Sequence, residues 1–254
     1  MTKKHDIIWL DTVDSTNDEA RRNISALDNL SVLSASRQIS GRGQRGNTWS
    51  SDAGENLTFS IVLKYGKDQI PEIRATDQFV ISELTALSVT DLLATYGITA
   101  RIKWPNDIYV EDKKICGILI ENSVRDVFLS TSIIGIGLNV NQRNFDVNIP
   151  NPTSMSLCTD SSFLLSGILE EFMDIFTGYC RRYLNITGGL TRLRRLYLSQ
   201  MWRKDSPARY IDTVSGNGFT GVIRGLSDIG HLILEDTEKG ELKEFAFKEI
   251  GYVI

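Results

Sequence analysis

The chain of 254 residues is 41% hydrophobic and 24% charged, and it carries a formal net charge of −4 at neutral pH. This composition is typical of a soluble globular protein, and the acidic balance argues against nucleic-acid binding over the whole surface. Only two histidines, His5 and His231, and three separated cysteines are present, which argues against a structural zinc site, a Ser-His-Asp triad and a disulfide framework. No apolar run approaches the roughly 18 residues that a membrane-spanning helix needs. We therefore expect a cytoplasmic protein whose chemistry rests on Lys, Arg, Asp, Asn and backbone groups.

The first 140 residues show the patterns of several strands and two helices. Thr16 and Glu19 match a capping box, which predicts the start of the first helix. Residues 112–113 are typical of a hairpin turn between two strands. In chain order, hydrophobic periodicity predicts a strand at 7–10, a helix at about 17–27, strands at 31–36 and 57–64, a long helix at 75–96, and strands at 100–104, 108–110, 114–121 and 127–140.

The composition of the chain changes near Asp205-Ser206-Pro207. Before this point, the pattern predicts two more helices, at about 162–183 and 190–201. After it come five short β-rich segments, which together predict a small barrel. They lie at 209–214, 219–226, 231–234, 242–247 and 252–254. We therefore predict an α+β domain over residues 1–204 and a small all-β domain over 205–254.

The segment 41–49 reads Gly-Arg-Gly-Gln-Arg-Gly-Asn-Thr-Trp and is the first candidate site. Its glycines allow the backbone to approach a ligand closely, and successive N–H groups in such a loop can bind an anion. Arg42 and Arg45 add fork-shaped donors that suit carboxylate or phosphate, and Trp49 could cover a flat ring. The alternative is a flexible hairpin loop with solvated arginines.

Lysines next to turns and strands form the second and third candidates. In the second candidate, Lys103-Trp104-Pro105-Asn106-Asp107, Lys103 could hold a phosphate while Asp107 positions a cation or a polar edge of a ligand; the alternative is a tight turn.

The third candidate is Lys114, which begins an apolar strand, from which its ammonium group could reach a cleft. Gly117 in the middle of that strand indicates close approach by another group. The alternative for Lys114 is a solvated hairpin lysine.

Glycines inside a strand form the fourth candidate. Gly135 and Gly137 precede the polar Asn139 in an otherwise apolar run, which indicates either a bulge or room for a ligand. The polar segment 14–17 is also unusual, although capping of the first helix would account for it.

Together, these motifs closely resemble those of the biotin protein ligases, the biotin–acetyl-CoA-carboxylase ligases. The resemblance extends over nearly the whole chain. It implies a catalytic domain like that of class II aminoacyl-tRNA synthetases, with a mixed or antiparallel sheet, followed by an SH3-like barrel. It also implies a short form, because residue 1 lies just before the first catalytic strand and leaves no room for a DNA-binding winged helix. The matching strings are Asp14-Ser15-Thr16-Asn17, Gly41-Arg42-Gly43, Lys103-Trp104-Pro105-Asn106-Asp107, Lys114 with Gly117, and Gly137-Leu138-Asn139.

The resemblance implies a reaction in two steps. Biotin and ATP, with Mg²⁺ carried by the ATP, give biotinyl-5′-AMP and pyrophosphate, and a lysine of a biotin carboxyl carrier domain then takes the biotinyl group. The family reaction needs no general base, since the biotin carboxylate is already ionised at neutral pH. The catalytic cations implied by the family are Lys114, Arg42 and Lys103, and no metal site built from His or Cys is expected.

The resemblance also assigns binding residues. One departure matters: Gln44 stands where many family members have arginine, which could loosen retention of the adenylate unless Arg45 compensates. The loop 42–49 is expected to order when ligands bind. For biotin, the implied residues are Ser15, Thr16, Asn17, Gln38, Gly41, Arg42, Gly43, Gln44, Lys114, Gly117 and Gly135. For the nucleotide, they are Arg42, Arg45, Trp49, Lys103, Asn106, Asp107 and Asn139.

Two other functions stay open at the level of the sequence. A lipoate-type ligase of the same superfamily would share the fold and the acyl-adenylate chemistry. A non-catalytic biotin-binding or sensing protein would need no triphosphate-binding cations, so Arg42, Lys103 and Lys114 argue against it. The expected partner is a carrier domain, with no DNA and no membrane. A homodimer could form through strand edges near 127–140, but nothing in the pattern requires one.

Overall fold

The computed structural model describes residues 5–68 and 70–254, apart from the side chain of Arg45. A mixed seven-stranded sheet forms the first part of the chain, in the order β1-β2-β3-β7-β6-β5-β4. β1 and β2 run parallel, whereas the other neighbours are antiparallel. The strands are β1 (Ile7–Val13), β2 (Val32–Gln38), β3 (Leu57–Lys64), β4 (Arg101–Lys103), β5 (Asp107–Val110), β6 (Lys113–Arg125) and β7 (Phe128–Leu138).

Five α-helices flank this sheet in the described part of the chain. α2 is apolar on nearly every side because it lies between the sheet and the pair α4 and α5. α1 packs against β2, β3 and β7. The helices are α1 (Thr16–Arg22), α2 (Phe79–Thr95), α3 (Met155–Thr159), α4 (Leu165–Tyr179) and α5 (Gly189–Ser199).

The alternation of side chains along β7 separates the two faces of the sheet. Ile134, Ile136 and Leu138 point into the main core with α2, whereas Ile133 joins a second cluster with Ala20 of α1. Gly135 and Gly137 therefore lie on the α1 side of the sheet. This face carries the candidate site.

The C-terminal sheet has five antiparallel strands in the order β11-β10-β9-β8-β12. The predicted α+β fold with a small C-terminal β unit is confirmed. The second sheet begins at Pro207, close to the predicted boundary, and the division at 204/205 itself stays a prediction. The strands are β8 (Pro207–Asp212), β9 (Gly218–Leu226), β10 (Leu232–Asp236), β11 (Glu241–Phe245) and β12 (Ile250–Tyr252).

Trp104 joins the two sheets. Its side chain is only 1% exposed, and its indole N–H donates a 2.9 Å hydrogen bond to the carbonyl of Gly230. The ring also contacts Phe247, with 5.2 Å between centroids. The large aromatic residue of the 103–107 motif therefore packs the C-terminal sheet against the first sheet, while its charged neighbours are available to a cleft.

Several local predictions differ from the structure. The first helix ends at Arg22 rather than near 27, and its capping box does not form, because Thr16 is the first helical residue and the N-cap position is held by Ser15, which makes no side-chain cap hydrogen bond. The short helix α3 was not predicted, and α4 begins at Leu165. Strand β7 lies between β3 and β6 and is not an edge of the sheet, so the homodimer through strand edges near 127–140 that the sequence left open has no free edge there. No helix in the described residues has both the length and the apolar character needed to cross a membrane.

Candidate active site

A narrow cleft with a free volume of about 50 Å³ lies on the α1 side of the large sheet, where the side chain of Trp49 occupies part of it. Its floor is made by β6 and β7, where Gly117 pairs with Gly137 and Leu119 pairs with Gly135. The start of α1 and the loop 42–49 form its walls. The lining residues are Ser15, Thr16, Asn17, Gln38, Arg42, Gly43, Gln44, Trp49, Asn106, Lys114, Gly117, Ile118, Leu119, Gly135, Ile136 and Gly137.

The strand glycines allow other side chains to lie directly on the floor. A Cβ atom at Gly135 would collide with the amide of Asn17, and one at Gly137 would collide with the indole of Trp49. At Gly117, a Cβ would lie 3.0 Å from the Trp49 ring. The structure therefore favours close approach over a bulge as the reason for these glycines.

A buried chain of hydrogen bonds runs along one wall of the cleft. Asn17 Nδ2 donates to Glu121 Oε2 at 2.8 Å. The Ser60 hydroxyl lies 2.7 Å from both Asn17 Oδ1 and Thr16 Oγ1. Thr16 in turn donates its N–H to Gln38 Oε1 at 2.8 Å. Because a carboxylate only accepts hydrogen bonds, Glu121 fixes which end of the Asn17 amide faces Ser60. We call these five residues the polar relay.

Arg42 is held by two carboxylates that the sequence did not single out. Its guanidinium lies 2.6 Å from Asp18 Oδ1 and 2.7 Å from Glu121 Oε1. Arg21 bridges the same two oxygens, at 2.5 Å and 2.6 Å. Glu121, and behind it Asp18, hold the pKa of Arg42 above its usual value. For Arg42 to bind an anionic ligand, it must therefore exchange these partners.

Two lysines share one carboxylate at the other end of the cleft. Lys114 Nζ lies 2.7 Å from Asp107 Oδ1, and Lys103 Nζ lies 3.9 Å from Asp107 Oδ2. Two positive charges against one negative charge leave a positive excess where a polyanion could bind. Asn106 sits in the turn between these groups, and its amide donates to the carbonyl of Ile118 at 2.8 Å.

Trp49 lies across the floor between these two regions. The backbone of the loop forms a small hairpin, in which the Trp49 N–H donates to the carbonyl of Gly41 at 2.9 Å. The indole N–H is buried and has no hydrogen-bond partner among the residues that the structure describes. Since a buried donor without an acceptor is costly, this group is suited to an acceptor on a bound ligand.

The biotin/lipoate A/B protein ligase family model matches residues 9–139, which include the four motifs and most of this cleft. The chain belongs to this family. Within it, the bifunctional ligase/repressor BirA of Bacillus spizizenii is 31% identical over 239 residues, covering 91% of this chain and 70% of that protein. The biotin–[acetyl-CoA-carboxylase] ligase of Paracoccus denitrificans is 30% identical, covering 87% of this chain and 90% of that protein. The solved biotin protein ligase from Aquifex aeolicus in complex with biotin and ATP is 27% identical, with a TM-score of 0.78 and 98% of both chains covered.

The structure brings most of the predicted site residues of this family member together. Lys103 and Asp107 line an adjoining cleft with Lys114 and Trp49. Gly41 lies beneath the backbone of Trp49. The buried amide of Asn139 donates to the carbonyl of Thr153 at 2.9 Å, and Asn139 lines a neighbouring pocket together with Trp49 and Lys114. The predicted role of the Arg45 side chain lies outside the described residues.

Sequence reasoning missed Ser60, Asp18, Arg21 and Glu121. Ser60 is fully buried in the structure, but in the sequence it is one of the polar residues that alternate with the apolar ones along β3, where exposure to solvent is the ordinary expectation. The other three are charged residues on a helix and a strand, where a solvated role is the ordinary expectation.

The histidines and Cys116 lie away from the lining of the cleft. Across residues 5–68 and 70–254, no group of three or more His, Cys, Asp or Glu side chains is arranged to hold a metal ion. His5 lies 2.9 Å from Asp174, and His231 lies 3.0 Å from Glu244. Burial raises the pKa of the Cys116 thiol, which keeps it protonated in the core. The cleft therefore offers cations, amides and backbone groups.

Proposed function

We propose that this family member is an ATP-dependent biotin ligase that makes biotinyl-5′-AMP and transfers the biotinyl group to a lysine of a biotin carboxyl carrier domain. The observation that carries the proposal is a pair of adjoining clefts, with the polar relay and Arg42 at one end and the cations Lys103 and Lys114 at the other. The similarity to the biotin–[acetyl-CoA-carboxylase] ligase of Paracoccus denitrificans, and to the solved ligase structure with biotin and ATP, supports this choice of substrates.

The polar relay suits a neutral cyclic urea. Such a head group presents two N–H donors and one carbonyl acceptor, and the relay offers amide and hydroxyl groups of both kinds from Thr16, Asn17 and Gln38. Since these groups are buried and already held by one another, they lose little freedom when a ligand binds. Leu119 on the floor would pack against the aliphatic chain of biotin.

The first step joins two anions, so repulsion is its main obstacle. One pair of like charges 4 Å apart costs roughly 4 kcal/mol at an effective dielectric constant near 20. Lys114 and Lys103 would offset this cost as the carboxylate oxygen attacks the α-phosphorus of MgATP and pyrophosphate leaves. Arg42 would join them after it exchanges Asp18 and Glu121 for the ligand.

The second step forms an amide. The neutral amine of the acceptor lysine attacks the acyl carbon, the bond between that carbon and the phosphate oxygen breaks, AMP leaves, and the amine releases a proton. Trp49 and the loop 42–49 would shield the adenylate from water until the acceptor arrives. Gln44 lines the cleft in this loop, so the neutral amide faces the region where the adenylate would be retained.

The decisive experiment incubates the purified protein with biotin, MgATP and a biotin carboxyl carrier domain, followed by intact mass measurement of the carrier. We expect a mass increase of one biotinyl group that depends on ATP. Lipoate replaces biotin in a parallel reaction. Modification by lipoate alone would indicate the lipoate-type ligase, and biotin binding without pyrophosphate release or carrier modification would indicate a binding protein.

A further inference from the structure

The ammonium group of Lys103 lies between two aromatic rings, one from each sheet. Its Nζ is 4.9 Å from the ring centroid of Tyr109 on β5 and 4.9 Å from that of Tyr252 on β12. The Lys103 side chain is only 16% exposed. An ammonium group at this distance from a ring face is attracted by it, and the attraction grows when water is excluded.

Tyr252 is itself fixed by a cluster of aromatic rings that spans both sheets. Its ring lies 5.4 Å from that of Tyr210 on β8 and 5.9 Å from that of Trp202, which precedes the C-terminal sheet. Trp202 in turn lies 5.2 Å from Tyr109. The C-terminal sheet therefore presents Tyr252 to the cleft from a rigid support. Strand β12 also lines this part of the cleft through Ile250 and Gly251.

The position of Lys103 matters because a second cation competes for the same carboxylate. Asp107 is paired at 2.7 Å with Lys114, whereas Lys103 stays at 3.9 Å. Without the ring of Tyr252, Lys103 would lose one of its two ring contacts, and its ammonium group would shift towards Asp107. Closer pairing there would lower the positive charge available to a triphosphate and would weaken the hold of Asp107 on Lys114.

We propose that Tyr252 is a positioning residue through which the C-terminal sheet holds Lys103 away from Asp107 and ready to bind the phosphates of ATP. This inference rests on the proposed function. It gives the C-terminal sheet a specific part in nucleotide binding and no part in binding of the biotin head group.

The test is a steady-state comparison of the full chain with Tyr252→Leu, measured as biotin-dependent pyrophosphate release. The variant should raise KM for MgATP about 5- to 20-fold and leave KM for biotin within about twofold of the wild-type value. Tyr252→Phe should stay close to wild type, because the Tyr252 hydroxyl has no hydrogen-bond partner in the described part of the chain. In a Lys103→Ala background, Tyr252→Leu should add less than about a twofold change.

Phe219→Leu is the matched control. Phe219 lies in the same sheet beneath another lysine, with Lys243 Nζ 5.6 Å from its ring centroid, but it does not line the cleft. Equal changes in Phe219→Leu and Tyr252→Leu, or an unchanged KM for MgATP in a folded Tyr252→Leu, would overturn the proposal. If Tyr252→Leu does not fold, Tyr252→Met is measured in its place.

Wild-type protein provides two further readouts. The ε-methylene protons of Lys103 should show an upfield ring-current shift in NMR spectra, and resonances at random-coil positions would contradict the arrangement without any substitution. Wild-type turnover separates the two claims. Absence of biotin-dependent pyrophosphate release contradicts the proposed function, whereas normal release with an unaltered KM in Tyr252→Leu contradicts only the role of Tyr252.

Discussion

The two sides of the cleft differ in how their polar groups are held. The polar relay is neutral and buried at Thr16, Asn17 and Ser60, which are at most 3% exposed. It ends at Glu121, which pairs with the 40% exposed side chain of Arg42. The opposite side is charged, with Lys114 at 31% and Lys103 at 16% side-chain exposure. On the first side, hydrogen bonds are already made, whereas on the second the cations are paired with carboxylates or rings that a ligand can replace.

This difference matches the chemistry that each side is proposed to serve. A neutral ring is recognised by fixed and desolvated hydrogen bonds, because any unmet donor or acceptor there is costly. A polyanion is instead bound by cationic side chains. These side chains pair with carboxylates or with water when the polyanion is absent, and they exchange these partners for the polyanion when it binds. Substitutions on the two sides should therefore affect biotin and ATP differently.

The largest effect is expected from Lys114→Ala on the charged side. Because this ammonium group lies at the start of the floor and opposes the charge that develops during adenylation, its loss should lower kcat for adenylate formation at least about 100-fold. Pyrophosphate release measures the effect, and circular dichroism checks that the variant is folded. A rate within about threefold of wild type would show that Lys114 is not catalytic.

Gly135→Ala should disrupt the polar relay on the buried side of the cleft. The added Cβ would displace the Asn17 amide, so we expect biotin affinity to fall about 10- to 100-fold in calorimetry while ATP binding changes little. Gly167→Ala is the matched control, because a Cβ at this helical position meets nothing within 4 Å. Equal biotin affinity in the two variants would contradict the placement of the relay.

Gln44→Arg should strengthen retention of the adenylate on the charged side of the cleft. If a neutral amide in the loop weakens retention of the adenylate, an added guanidinium should slow release of biotinyl-5′-AMP about 3- to 10-fold. Release is measured by chasing the preformed complex without an acceptor. Faster or equal release would assign retention to other residues of the loop.

Asp18→Asn should have the smallest effect and the opposite sign. Asp18 competes with an anionic ligand for Arg42, so its neutralisation should tighten binding of the biotin carboxylate about two- to fivefold at low salt. The gain should shrink as ionic strength rises. Weaker binding would mean that Asp18 orients Arg42 for the ligand instead of withholding it.

Some residues of the site could be recognised from the sequence, whereas others could not. Gly117, Gly135 and Gly137 were recognisable because glycine in the middle of an apolar strand signals close approach. Lys103 and Lys114 were recognisable from their motifs, but their shared partner Asp107 and the ring of Tyr252 became visible only in three dimensions. Asn139 was grouped with the nucleotide by resemblance. Its amide donates to the carbonyl of Thr153, and its role in nucleotide binding stays a prediction.

The sequence by itself determined the order of the strands and the longer helices, the small C-terminal β unit and the residue types of the cleft, because local periodicity and glycine placement act over a few neighbouring positions. Tertiary structure decided which groups meet. Strand register placed Ser60 beside Gly135, sheet order removed β7 from the edge, and packing of the second sheet brought Tyr252 to Lys103. These contacts join distant parts of the chain, and their partners depend on the whole fold rather than on any local pattern.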